Sequence, residues 1–316
     1  MTIGGDGIVI IGQSGQVSRS LEEVLMAAGH RVVKIGRPEV DLCDERSLSR
    51  AILAARPRIV VNAAAYTAVD RAEDDPETAH AVNAEGARAA AQAAAEAGAP
   101  IIHVSTDYVF DGKKKTPYAE TDPVSPIGVY GQSKRAGETL VAAANPNHVI
   151  LRTSWVFSPF GSNFAKTMLR LNQERSEIGV VSDQHGSPTY ASDLAVVVRQ
   201  IIDKLSAPLQ TREYFGTFHA VNAGETTWHA FAEAIIEGAA LRGAPRAAVL
   251  PIATKDYPTR ALRPAYSVLS TTKLHQIYSI RLRPWPDALS DALDRLIGPL
   301  NRDATLHLQQ DFGKSA

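Results

Sequence analysis

The chain has 316 residues, 45% of them hydrophobic and 21% charged, with a formal net charge of -1. That length suits two domains, or one large domain with an appended lobe, and the balance of charge excludes a strongly basic nucleic-acid or membrane surface. Cys43 is the single cysteine, so no internal disulfide and no cysteine-built metal site can form, which fits a reducing cytoplasm. The opening MTIGGDGIVIIGQSG has no basic start, and its apolar run is too short for a signal peptide or a membrane span.

In chain order, β-branched apolar runs at 7–12, 30–36, 58–64, 100–107 and 148–155 alternate with alanine-rich amphipathic segments at 16–28, 45–55, 77–97 and 128–144. The apolar runs are nearly unbroken rather than alternating, as in strands covered on both faces. A repeated strand-helix order of this kind predicts an α/β fold, a Rossmann-type doubly wound parallel sheet with right-handed crossovers. Past residue 157 the elements shorten: strand then loop over 180–190, a helix over 191–205, strand in YFGTFHAVNAG, and a helix over 226–240 capped by Thr226 or Thr227. The predicted organisation is a dinucleotide-binding domain over 1–156 and a smaller C-terminal substrate-binding lobe over 157–300, with some of its segments returning to the sheet. A tail without apolar periodicity follows over 301–316.

Ligands of such sheets bind at the carboxyl ends of the strands. Four groups of residues fall there: Gly12, Gln13, Ser14 and Gly15 after the first strand, Ala63 to Thr67 after the third, Ser105 to Tyr108 after the fourth, and Trp155 after the fifth. Gly12 and Gly15 lie between strand and helix, where glycine lets the backbone turn sharply under a pyrophosphate and the helix N-terminus offers free N–H groups. Ser18 stands where a third glycine would be expected, and serine is small enough to keep helix and sheet close. The second strand ends in Arg37 rather than in a carboxylate, which favours pairing with a 2′-phosphate and hence NADPH, with NADH as the alternative.

Tyr130 and Lys134 stand one helical turn apart in PIGVYGQSKRAGE, so phenol and ammonium share a helix face. Ketone reduction needs an acid for the developing alkoxide, and a nearby ammonium would make a tyrosine's phenolate accessible near neutral pH. A hydroxyl from STDY would hold the substrate oxygen, with Thr106 the first choice and Ser105 the alternative.

The motifs GQSGQV, RPEVDLCD, VVNAAAYTAVDRAE, VNAEG, STDYVFDG, YGQSK, LRTSWVFSPFGSNF, DQHGSPT and RPAYSVL together resemble the extended short-chain dehydrogenase/reductases, over roughly residues 7 to 297. The likeness is to those that act on the nucleotide sugar dTDP-4-dehydrorhamnose. It implies NAD(P)H-dependent reduction of the C4 ketone of that small-molecule nucleotide sugar, in the cytoplasm, by an enzyme compatible with a homodimer. By this resemblance Gly15, Gln16 and Val17 lie under the cofactor pyrophosphate, Asp41 and Leu42 lie beside the adenine, and Ala64, Ala65, Tyr66 and Thr67 lie along the middle of the cofactor. Thr106, Tyr130 and Lys134 are the implied catalytic trio, Tyr130 and Lys134 also touching the cofactor. Trp155 packs on the deoxysugar ring with Ser105, Asp107 and Tyr108 nearby, and the loops SNF (with Asn163) and DQHGSPT, together with Arg263, face the nucleotide-diphosphate end. Where relatives read an amide, a cation and an acid after RPA, this chain has Tyr266, Val268 and Ser270. The segment SRSLEE gives no ground for a Mg²⁺ bridge between subunits, and no metal is expected. Two other readings follow from the same residues: reduction of a different nucleotide 4-keto-6-deoxysugar, or a non-catalytic NADP-binding subunit of a methionine adenosyltransferase, against which the retained trio argues.

Overall fold

Each apolar run becomes a parallel strand because its side chains alternate between two buried faces. In β1 (Gly7–Ile11), Ile8 and Ile10 enter one core while Val9 and Ile11 enter the other. With β2 (Arg31–Ile35), β3 (Pro57–Asn62), β4 (Ile101–Thr106) and β5 (His148–Thr153) this strand builds the sheet of the computed structural model, which describes residues 7–207 and 211–300. The expected tail at 301–316 lies outside the described residues. Farther along follow β6 (Glu177–Val181), β7 (Gly216–His219) and β8 (Ala248–Ile252). β7 returns to the sheet beside β5, giving six parallel strands in the order β7-β5-β4-β3-β1-β2. β6 and β8 pair with each other outside it. Strand order reverses between β1 and β3, the crevice where doubly wound sheets bind ligands.

The longer helices are α1 (Gln16–Ala27), α2 (Glu45–Ala55), α3 (Ala87–Glu96), α4 (Val129–Ala144), α5 (Phe164–Glu174), α6 (Ala191–Leu205), α7 (Trp228–Ala240), α8 (Thr272–Tyr278) and α9 (Trp285–Ile297). Leu21 and Leu25 of α1 share one core with Leu194, Val198 and Ile201 of α6. Leu48 and Ile52 of α2, Ala90 and Ala94 of α3, and Val141 of α4 fill the other. A third core, with Met168, Phe231, Ile235 and Leu289, holds α5, α7 and α9 together. Among the described residues no helix is long and apolar enough to cross a membrane.

Two predicted elements differ. The helix expected over 77–97 is broken: Pro76–His80 leads into a wider π-turn over Ala81–Gly86 before α3 begins. Asn83 within that turn accepts from the Tyr66 backbone N–H at 2.8 Å, and its Nδ2 donates to Tyr66 O at 3.1 Å and to Ser133 Oγ at 2.9 Å. Such bulges recur where a side chain must be aimed at a functional segment, and this one fixes the loop after β3. The strand expected over 148–155 stops at Thr153, because Trp155 turns into left-handed backbone, φ 46°. Of the two proposed caps of α7, Thr227 is the one whose hydroxyl accepts from Ala230 N.

A buried ion pair fixes the register of α4 against the sheet. Glu138 accepts from Arg152 Nε and Nη2 of β5, both at 2.8 Å, and from Ser105 Oγ of β4 at 2.8 Å. Tyr130 and Lys134 lie two turns and one turn earlier on that same helix, so this pair aims the residues read as proton-handling.

Candidate active site

The carboxyl ends of β1, β3, β4 and β5 open on one cavity of about 780 Å³. Its floor is the turn after β1. Gly12 takes φ 125°, a conformation glycine adopts without strain, and Ser18 Oγ donates back to Gly12 O. Serine at the expected third glycine thus ties the turn to the helix. Gly15 is the N-cap of α1, no side chain caps the helix, and a Cβ at Gly15 would meet nothing within 4 Å. The first N–H groups of α1 therefore face open space beside the cavity, which fits a dinucleotide pyrophosphate. Gln13, Ser14, Gln16 and Val17 complete the floor, with Arg37, Asp41 and Leu42 at its outer end.

Ala64, Ala65 and Thr67 line the middle, but Tyr66 between them does not. The clamp of Asn83 on its backbone holds it out of the wall.

At the inner end Thr106, Asp107, Tyr108, Tyr130 and Lys134 meet. Thr106 Oγ1 donates to Asp107 Oδ1 at 3.0 Å and accepts from Tyr108 N at 3.2 Å. Ser105 also borders the cavity, yet its hydroxyl is committed to Glu138, which leaves Thr106 as the hydroxyl facing Tyr130. The Tyr108 ring meets that of Tyr130 edge-on, centroids 5.5 Å apart. Burial pushes the Tyr130 phenol up to about 12, with the nearby Asp107 adding to the rise and the bond with Thr106 opposing it. Burial likewise brings Lys134 down to about 8, against the pull of Glu138, and lifts Asp107 to about 6. The expectation of a phenol lowered by its neighbouring ammonium is therefore not met: desolvation raises it, and the bond with Thr106 is what opposes the rise. A phenol held protonated is the form that a reduction uses.

The remaining predicted residues divide. Trp155 borders the cavity, but its ring is already covered: Trp228 stacks on it at 3.6 Å with planes 10° apart, and a Cβ at Gly186 would come within 2.4 Å of its Cε2. Asn163 borders the cavity as N-cap of α5, and its Nδ2 donates to Gln16 Oε1 at 2.9 Å, joining the second half of the chain to the glycine turn. Arg263 does not border it; its guanidinium pairs with Asp70 at 2.7 Å and holds that carboxyl below its ordinary range. Tyr266 donates to Glu225 at 3.0 Å, Val268 is buried, and Ser270 bonds Thr272.

Ser162, in the SNF loop expected at the nucleotide end, lines the cavity, and sequence reasoning missed Trp228 and Gly161, which line it too. For Trp228 the signal was an aromatic directly after a helix cap; for Gly161, its place beside the SNF loop.

The family model described as the RmlD substrate binding domain matches residues 6–297 of the chain. A dTDP-4-dehydrorhamnose reductase from Sinorhizobium fredii is 44% identical over 285 residues, covering 89% of this chain and 94% of that protein. The spore coat polysaccharide biosynthesis protein SpsK of Bacillus subtilis is 40% identical over 286 residues, covering 90% and 96%. Among solved structures, the dTDP-4-dehydrorhamnose reductase of Bacillus anthracis in complex with NADP is similar with a TM-score of 0.86 at 34% identity, covering 92% of this chain and 99% of that one.

Proposed function

The chain belongs to the RmlD substrate-binding-domain family, and from that membership and the chemistry of the cavity we propose that it reduces the C4 ketone of dTDP-4-dehydrorhamnose to dTDP-L-rhamnose, the last step in making that nucleotide sugar. NADPH is the electron donor and NADH the alternative. The observation that carries the reading is the meeting of Thr106, Asp107, Tyr130 and Lys134 at one end of a cavity whose floor is a glycine turn and an uncapped helix N-terminus.

In this reading Gly12 to Val17 hold the pyrophosphate, Arg37 the 2′-phosphate, and Asp41 and Leu42 border the adenine. The nicotinamide, when bound, supplies the hydride. Tyr130 gives its proton to the C4 oxygen, and the phenolate left behind is stabilised by Lys134 in its ammonium form. Thr106 orients the same oxygen by a hydrogen bond. Asp107 and Tyr108 border the sugar, as does Trp155 once Trp228 yields one of its faces. Residues 157–300 serve chiefly the sugar nucleotide and residues up to 156 chiefly the cofactor, in a cytoplasmic homodimer.

Tyr266, drawn to Glu225 where relatives carry an amide, favours a second reading in which a different nucleotide 4-keto-6-deoxysugar is the substrate. Turnover of several nucleotide 4-ketosugars with NADPH and NADH separates the two. The expected order places dTDP-4-dehydrorhamnose first and NADPH ahead of NADH; faster turnover of another ketosugar would replace the first reading with the second.

A further inference from the structure

Behind the cavity wall lies a chain of polar groups that the proposed reaction does not use. Asn62, at the end of β3, accepts from Ala64 N with Oδ1 at 3.2 Å, so its Nδ2 faces His103 Nδ1 at 3.1 Å. Turning the carboxamide over would set its NH₂ against the Ala64 N–H, donor against donor. Nδ2 only donates, so His103 Nδ1 must accept. His103 is 1% exposed, and burial together with the charge of Lys134 keeps its proton affinity well below the ordinary value, so the ring is neutral and carries its one proton on Nε2. That N–H faces Lys134 Nζ at 3.4 Å, while Nζ donates to Val104 O at 2.7 Å. An ammonium has no lone pair to offer an N–H; an amine has one.

We propose that Asn62 and His103 act through Lys134 as positioning residues: the carboxamide fixes the imidazole as its Nε2–H tautomer, and that N–H favours Lys134 as an amine over an ammonium in the ligand-free protein. The pair thereby sets the pH above which Lys134 no longer supplies a positive charge beside Tyr130. The other groups around Lys134 are Tyr130 and Glu138 on its own helix, Asp107 beyond the end of β4, and Arg152 of β5, which is bound to Glu138; β3 contributes only the uncharged Asn62. Burial disfavours the ammonium and Glu138 favours it; the donor-against-donor contact with His103 adds to burial. The inference rests on the proposed role of Tyr130 and Lys134, but its first test needs neither cofactor nor substrate, so the two can fail separately.

That test is NMR of the ligand-free protein labelled with ¹⁵N-histidine and ¹³C-lysine, with His103 and Lys134 assigned by substitution. The expected spectrum shows His103 protonated on Nε2 and bare on Nδ1 through neutral pH; a proton on Nδ1 would overturn the proposal. In Asn62→Leu the tautomer is released, Nε2 can accept from an ammonium, and the Lys134 titration should rise by about 0.5–1 pH unit, the equivalent of one hydrogen bond. The alkaline limb of kcat should move with it. A midpoint that stays in place in the folded variant, or a fall in kcat with no change in the pH profile, would reduce Asn62 to a structural part. Asn62→Ala, which likewise frees Nδ1 and adds no charge, should move the midpoint in the same direction and serves if the leucine variant does not fold.

Discussion

Tyr130→Phe should lower kcat by about 10²–10⁴-fold, the usual contribution of a positioned proton donor, and leave the affinity for NADPH unchanged. The substitution removes one oxygen and keeps the ring, so the edge-on contact with Tyr108 survives and the cavity keeps its shape. Only the proton is lost. Because burial holds the phenol up at about 12, the group is fully protonated at neutral pH and ready to act as the acid. Steady-state rates together with a fluorescence titration of the cofactor would check both halves of the expectation. An unchanged kcat would remove Tyr130 from the proton transfer.

The largest expected loss of stability comes from a residue outside the cavity. Glu138 is 1% exposed and Arg152 3%, and Nη1 of the arginine is already buried without a partner. Replacing Glu138 by leucine leaves that guanidinium in the interior with none of its carboxylate bonds, and removes the acceptor of the Ser105 hydroxyl. Breaking a buried pair on one side costs about 3–5 kcal/mol. Urea unfolding of Glu138→Leu should therefore show a much lower midpoint at an unchanged slope. Adding Arg152→Met should restore much of the loss, since removing both charges also removes the penalty of the unpaired one. A loss below about 1 kcal/mol in the single variant would mean that water or a rearranged neighbour replaces the carboxylate.

Much of this architecture is legible in the sequence because it depends on local pattern. The unbroken run IVII is buried on both faces and lies inside the sheet, between β3 and β2, and the spacing of Tyr130 and Lys134 does bring both side chains to one cavity wall. The glycine turn was readable for the same reason, as strand, turn and helix adjoin in the chain. What was not legible depends on partners far away in sequence. Trp155 reads as a free aromatic platform until Trp228 is found lying on it, and Arg263 reads as a phosphate ligand until Asp70 is found beside it. Thr106 was preferred over Ser105 as the substrate hydroxyl, but the physical reason, the bond of Ser105 to Glu138 on the next helix, is seen only in the structure. The lysine beside Tyr130 suggested a lowered phenol, whereas desolvation, which no spacing rule contains, drives it the other way. The π-turn at Asn83 was hidden in the same manner, because alanine-rich flanks favour an unbroken helix and only the hook onto Tyr66 explains the break.

The central claim is that this cavity moves a hydride to the sugar C4 while Tyr130 supplies the proton. The most direct measurement uses NADPH deuterated on the transferring face of its nicotinamide, with dTDP-4-dehydrorhamnose as substrate and the product read by NMR. The account predicts dTDP-L-rhamnose with deuterium at C4, formed by the wild-type protein and not, on the same timescale, by Tyr130→Phe. A protein that binds NADPH yet leaves C4 of the ketosugar undeuterated and unreduced would contradict it.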